Sequence, residues 1–229
     1  MRIFLALFFI LVAASPLYAA QRNYTVTDFT RVRVEGPYAV TLATRVAPFA
    51  RAEGSQRALD RVSLKVEGRT LVIRVDRSAW GGSPDGEAGP VTISVGTHDL
   101  EQAALIGPGS LSIDRVRGLN FALSSFGSGA ASIGAVEVDR LRVMLEGSGS
   151  ARVAGAAKAF DASLNGPGLI DAAGLTAKDA TLSAMGPASL RARVTNTARI
   201  AAAGTATVAL DGGPACTNKV TGSATVTGC

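Results

Sequence analysis

A short glycine-containing turn recurs through the second half of this 229-residue chain at intervals of 18 to 20 residues. Self-similarity at such a period indicates a repeat architecture, in which each unit packs mainly against its two neighbours. The turns are Gly107-Pro108-Gly109, Gly127-Ser128-Gly129, Gly147-Ser148-Gly149, Gly166-Pro167-Gly168, Gly186-Pro187-Ala188, Gly204-Thr205-Ala206 and Gly222-Ser223-Ala224.

Each repeat contains two runs of alternating apolar and polar residues. One run follows the turn glycine and includes Ile113, Ile133 and Val153 at equivalent positions, while a second run, such as Leu141 and Val143, precedes the next glycine. Alternation with a period of two is typical of a strand with one buried face. If each unit is one coil, equivalent strands stack in parallel about 4.8 Å apart. The repeat therefore predicts an all-β fold, specifically a parallel β-helix or solenoid.

The composition fits a coil with a narrow interior. The chain has 26 glycines and 5% aromatic residues, and its 47% hydrophobic content argues against a disordered protein. One histidine and two cysteines leave few of the residue types from which catalytic and metal sites are built. We predict no catalytic residue, no metal ion and no cofactor.

The N-terminus has the pattern of a secretory signal peptide. Met1 and Arg2 precede an apolar run, and the small residues Ala19 and Ala20 follow it as a cleavage site would require. The run is shorter than the roughly 18 apolar residues of a transmembrane helix. We predict that residues 1–20 are removed, that the mature chain has no transmembrane segment, and that it is exported to the periplasm or secreted to the cell surface.

The mature chain divides by pattern into three parts. Residues 21–77 alternate less regularly and predict irregular, strand-rich N-terminal coils or a cap, whereas residues 91–229 predict regular coils. Residues 78–90 are rich in glycine, proline and serine and predict a long loop. This loop carries Trp80, the only tryptophan, which either stacks on a sugar or protein partner or folds back over an apolar edge.

Basic residues are concentrated near the N-terminus. Residues 21–80 hold 11 lysines and arginines against 6 acidic residues. Either this region forms a surface, including Arg31, Arg33 and Arg74, that attracts anionic envelope polysaccharide, or it is the solvated face of alternating strands. No basic run is interleaved with aromatic residues, so we do not expect a nucleic-acid partner.

The two cysteines predict a disulfide at the C-terminal end. Cys216 occupies an inward position in the repeat, and Cys229 falls where the next coil would begin to stack on it. Disulfides persist in the compartments that exported proteins reach. The bond would close a loop of about 14 residues as a C-terminal cap; two unpaired thiols are the alternative.

The segment from Phe29 to Leu42, the run Leu71-Val72-Ile73 and the final turn at Gly222 resemble the bacterial family of putative auto-transporter adhesins with a head GIN domain. The resemblance implies a right-handed β-helix in exported or cell-surface proteins, with an adhesion role and no defined active site.

Two classes of function are compatible with the sequence. The first is a non-catalytic envelope or secreted binding protein that presents a rigid surface to glycans or a protein partner. The second is a carbohydrate-active β-helix enzyme, a polysaccharide lyase or hydrolase, which needs clustered carboxylates. We favour the first because the candidate aspartates fall at different places in the repeat: Asp114, Asp139, Asp161, Asp171 and Asp179.

Overall fold

The computed structural model describes residues 20–76 and 89–229. It is a parallel β-solenoid of about six turns, which confirms the predicted fold class. The predicted signal peptide, apart from Ala20, and the predicted loop around Trp80 lie outside the described residues.

The structure has sixteen described strands and one described helix. The N-terminal ones are β1 (Ala20–Tyr24), β2 (Arg31–Glu35), β3 (Ala39–Thr44), β4 (Phe49–Gly54), α1 (Gln56–Asp60), β5 (Val62–Glu67), β6 (Thr70–Val75), β7 (Thr92–Thr97) and β8 (Gln102–Ile106). The later ones are β9 (Ser110–Phe126), β10 (Ala130–Glu146), β11 (Ser150–Asn165), β12 (Leu169–Met185), β13 (Ser189–Gly204), β14 (Thr207–Asp211), β15 (Ala215–Gly222) and β16 (Thr225–Thr227).

Strands β9 to β13 each run through most of a coil and pair in parallel with the strand of the next coil. Ile133 pairs with Ile113 on one side and with Val153 on the other, so the predicted inward ladder forms. These side chains are buried, and Ser132 and Arg152 between them point outward. The alternation read from the sequence therefore gives the correct faces.

The turn glycines stack into a column, and several of its positions require glycine for steric reasons. Gly147 has a φ of +115°, and a β-carbon there would lie 2.5 Å from the carbonyl oxygen of Gly127. Gly149 meets the carbonyl oxygen of Gly129 at the same hypothetical distance. Backbones of successive turns are thus too close for a side chain.

The N-terminal strands enter the stack out of sequence order. Strand β2 lies between β6 and β8, and β3 lies between β7 and β9, all in parallel. The turn between β2 and β3 begins at Gly36 and packs against the turn at Gly107. The period of 18 to 20 residues does not predict that this turn belongs to the column, because Gly36 is much farther than one period from Gly107 in the sequence.

Antiparallel strands and a short helix cover the N-terminal end. Strand β4 pairs with β7 and β1 pairs with β4, while β5 and β6 form a hairpin around Gly68. Helix α1 begins at Ser55, whose hydroxyl accepts from the Ala58 amide at 3.1 Å, and it buries Ala58 and Leu59. This arrangement closes the core at that end.

The C-terminal end carries the predicted disulfide. Cys216 in β15 pairs in register with Ala198 of β13, and its Cα lies 5.7 Å from that of Cys229. The bond ties the end of the chain to the last coil.

Candidate binding surface

The three arginines singled out in the sequence lie on adjacent strands. Arg31 and Arg33 are in β2, where Arg33 pairs with Val72 of β6, and Arg74 lies two residues further along β6. The intervening residues Val34 and Ile73 point into the core. Because side chains alternate along a strand, the three arginines share the outward face of this part of the sheet.

A fourth basic residue, Lys65, joins them from strand β5. In the β5–β6 hairpin, Lys65 pairs with Val72, and Ser63 pairs with Arg74. Lys65 is one of the basic residues of the N-terminal third, but the sequence analysis did not single it out. The register of a tight turn at Gly68 is the signal that would have placed it on this face. We call Arg31, Arg33, Lys65 and Arg74 the basic surface.

A shallow cleft of about 600 Å³ opens beside the basic surface. It contains positive, negative and hydroxyl groups rather than an apolar wall, which suits a polar ligand. Its lining residues are Glu35, Gly36, Ser63, Lys65, Arg74, Val75 and Asp76.

Among the described residues, one of the four basic side chains has a carboxylate partner. Arg33 forms an ion pair with Glu35, with 2.6 Å between Nε and Oε1. Within the part of the chain that the structure describes, Arg31, Lys65 and Arg74 form no ion pair. Their charges are therefore available to an anionic ligand.

The single histidine lies on the surface in a small polar group. His98 Nδ1 is 3.3 Å from the carboxylate of Asp28, which also accepts a bond from Thr97 Oγ1 at 3.1 Å. Burial raises the pKa of Asp28, but the hydrogen bonds from His98 and Thr97 outweigh it, so the pKa lies below its ordinary value. The partners of His98 and Asp28 lie within this group, so we interpret it as a structural contact on the surface.

Three of the aspartates considered as candidates for an enzyme each contact a different local partner. Asp114 accepts from the Thr44 amide at 3.0 Å, Asp139 pairs with Lys158 at 2.7 Å, and Asp179 accepts from Thr197. Across residues 20–76 and 89–229, no group of three or more His, Cys, Asp or Glu side chains could hold a metal ion. None of the helices in these ranges is long and apolar enough to cross a membrane.

Several solved structures share this fold. An adhesin described as putative from Bacteroides fragilis is 17% identical, with a TM-score of 0.77, and the match covers 92% of this chain and 98% of that one. A similarly described adhesin from Parabacteroides distasonis is 17% identical, with a TM-score of 0.73, and the match covers 91% of this chain and 95% of that one. A protein described as a putative lipid binding protein, from the same species, is 19% identical, with a TM-score of 0.69, and the match covers 92% of this chain and 96% of that one. No curated protein matches the sequence.

The family comparison agrees with the resemblance noted in the sequence. The model of the family described as "Putative auto-transporter adhesin, head GIN domain" matches residues 28–214. This range includes strands β2 to β14 and the basic surface. The chain belongs to the head GIN domain family of putative auto-transporter adhesins.

Proposed function

We propose that this protein is an exported, non-catalytic binding protein of adhesin type, and that its basic surface binds anionic envelope polysaccharide. The observation that carries the proposal is the common outward face of Arg31, Arg33, Lys65 and Arg74, contributed by three adjacent strands.

The spacing of these groups suits an extended polymer with repeated carboxylates or sulfates. Neighbouring strands lie about 4.8 Å apart, and outward residues along one strand repeat about every 6.6 Å. Guanidinium groups bind such oxyanions with two parallel hydrogen bonds. A sheet holds its side chains on a rigid backbone, which reduces the entropy lost on binding.

Two further features support export. The bond between Cys216 and Cys229 is of a kind that persists in oxidising compartments, and the N-terminal residues have the pattern of a signal peptide. Adhesin-type family membership is consistent with a binding role outside the cytoplasm.

The test compares wild type with the triple variant Arg31→Ser, Arg33→Ser, Arg74→Ser on immobilised polygalacturonate, with neutral dextran as the reference surface. A matched control, Arg152→Ser, Arg191→Ser, Arg193→Ser, removes the same charge from exposed positions elsewhere on the solenoid. We expect the first variant to bind at least tenfold more weakly, with a flatter salt dependence, and the control to bind nearly as wild type.

Two results would contradict the proposal. Absence of wild-type binding at low salt would remove the basic surface as a site, and equal losses in both triple variants would show that only net charge matters. Release of reducing sugars or unsaturated products from the same polysaccharide would instead identify a carbohydrate-active enzyme.

A further inference from the structure

An exposed aromatic ring lies on the N-terminal sheet, away from the basic surface. Phe49 in β4 is 40% exposed, whereas Phe29, Phe121 and Phe160 are fully buried. In the described parts of the chain, Phe49 is the one aromatic side chain among the exposed large hydrophobic residues. An exposed ring in a chain so poor in aromatic residues requires a physical explanation.

The Phe49 ring lies over the backbone of the neighbouring strand. Phe49 pairs with Gly96 of β7, and a β-carbon on Gly96 would lie 2.3 Å from the Phe49 ring. Val46 also covers this glycine, because the same hypothetical β-carbon would lie 2.7 Å from Val46 Cγ2. The absence of a side chain on Gly96 therefore lets the ring rest directly on the strand.

Polar side chains stand beside the ring on the same outward face. Arg51, two residues along β4, pairs in register with Asn23 of β1. The Asn23 amide oxygen accepts from Arg51 Nε at 3.3 Å and from Gln21 Nε2 at 3.4 Å. Among the described residues, the terminal guanidinium nitrogens of Arg51 and the Asn23 amide nitrogen have no acceptor. Arg51 has no carboxylate partner in the described ranges.

These groups border a shallow groove of about 360 Å³. Its other lining residues include Pro48 and two residues that pack against the core, Tyr24 and Val26. Ligand sites commonly combine aromatic surface with a few placed polar groups in this way.

We infer that Phe49, Asn23 and Arg51 form a second binding site, which takes the pyranose ring of a neutral glycan. The C–H groups on one face of a pyranose fit the electron-rich face of an aromatic ring. Its equatorial hydroxyls accept hydrogen bonds from the amide and guanidinium donors at the rim. A purely apolar partner would leave those donors without acceptors, which is why a sugar fits the groove better.

This inference goes beyond the basic surface and stands separately from it. The two sites use different strands, and stacking of a neutral sugar depends little on ionic strength. Loss of one site by mutation leaves the other intact, so the failures of the two proposals are distinguishable.

The test uses an array of neutral β-linked glucan, galactan and N-acetylglucosamine oligomers, probed with the full mature chain at low and at high salt. Phe49→Leu keeps an apolar cover on Gly96 but removes the aromatic face, whereas Phe49→Tyr keeps both. Aromatic stacking is worth about 0.5–1.5 kcal/mol beyond area, so Phe49→Leu should bind up to about tenfold more weakly. Phe49→Tyr should bind as wild type.

Thermal unfolding of Phe49→Leu shows whether the sheet remains intact. A folded Phe49→Leu variant that binds as well as wild type would overturn the inference, as would the failure of wild type to bind any neutral oligomer. Arg51→Ala, which leaves the ring untouched, should also weaken binding. Capture that disappears at high salt would mean that only charge contributes.

Discussion

Gly36 and Gly107 occupy adjacent turns of one column, and the Gly36 amide donates to the carbonyl of Ile106 at 3.0 Å. Both glycines have positive φ, +117° and +101°. A β-carbon on Gly109 would lie 2.5 Å from the Gly36 carbonyl oxygen. The N-terminal turn therefore packs as closely against the column as any turn of the regular coils.

Replacement of Gly147 by alanine tests the steric requirement of this column. The new β-carbon would combine backbone strain at a φ of +115° with a 2.5 Å approach to the Gly127 carbonyl oxygen. We expect the free energy of unfolding to fall by at least about 2 kcal/mol, measured by denaturant unfolding. Ser148→Ala, on the exposed middle residue of the same turn, serves as the control and should change it by less than about 0.5 kcal/mol.

Aspartate substitutions test which residues face the core. Val153 is 3% exposed and Arg152 beside it points outward. Val153→Asp should lower the free energy of unfolding by at least about 3 kcal/mol because it buries a carboxyl group without a partner. Arg152→Asp should cost no more than about 1 kcal/mol. Similar unfolding temperatures for the two variants would show that the assigned faces are incorrect.

Ser125 is a polar residue in an inward position. Its side chain is 1% exposed, and it lies between Leu105 and Leu145 in the stack. Its hydroxyl has no hydrogen-bond partner within residues 20–76 and 89–229. Ser125→Ala removes the unsatisfied group and should raise the free energy of unfolding by about 1 kcal/mol. Ser163→Ala, at an exposed outward position, should leave it unchanged. A destabilised Ser125→Ala protein would indicate that the hydroxyl has a partner in solution.

Loss of the disulfide should loosen the C-terminal end. The bond between Cys216 and Cys229 spans 13 positions of sequence. By loop entropy, replacing both cysteines with serine should lower the free energy of unfolding by about 3 kcal/mol. Thiol labelling of the denatured, unreduced protein should detect no reactive thiol; two per chain would refute the bond.

Asp179 gives a testable pH dependence. Hydrogen bonds from Thr197 Oγ1 at 2.5 Å and Asn196 Nδ2 at 2.8 Å lower the pKa of this carboxyl group. Its contribution to stability is therefore full above the unfolded pKa, and it is lost as the pH falls through the lower folded pKa. Thr197→Val should raise the Asp179 pKa in an NMR titration, whereas Thr181→Val should not. An unchanged pKa in Thr197→Val would mean that the hydroxyl does not bind the carboxylate in solution.

The sequence predicts those parts of the molecule in which local pattern and spatial neighbourhood coincide. In the regular coils, Ile133 meets Ile113 because one coil separates them, so a fixed period is sufficient. The faces follow from alternation, and the disulfide follows from the predicted export and from the inward position of Cys216.

The N-terminal arrangement could not be predicted in the same way. Pairing of Arg31 with both Thr70 and Gln102 depends on which distant strands accept β2, and no periodic signal records that choice. The arginines of the basic surface were identified by charge, but their common face with Lys65 required the strand order. Phe49 was missed because its significance lies in Gly96, a contact between separate strands.

The insertion of β2 and β3 into the stack sets an order of assembly on the chain. Each regular coil is synthesised directly after the coil with which it pairs. Its partner strand is therefore already present, and pairing closes only a short loop of chain. Strands β2 and β3 emerge early, yet the strands on either side of them, from β6 to β9, are made later. One edge of β2 stays open until β8 has been made, and one edge of β3 stays open until the first residues of β9 have been made. We therefore expect completion of the N-terminal end to be the slow, non-local step of folding, during which unpaired strand edges are exposed to aggregation or to chaperones.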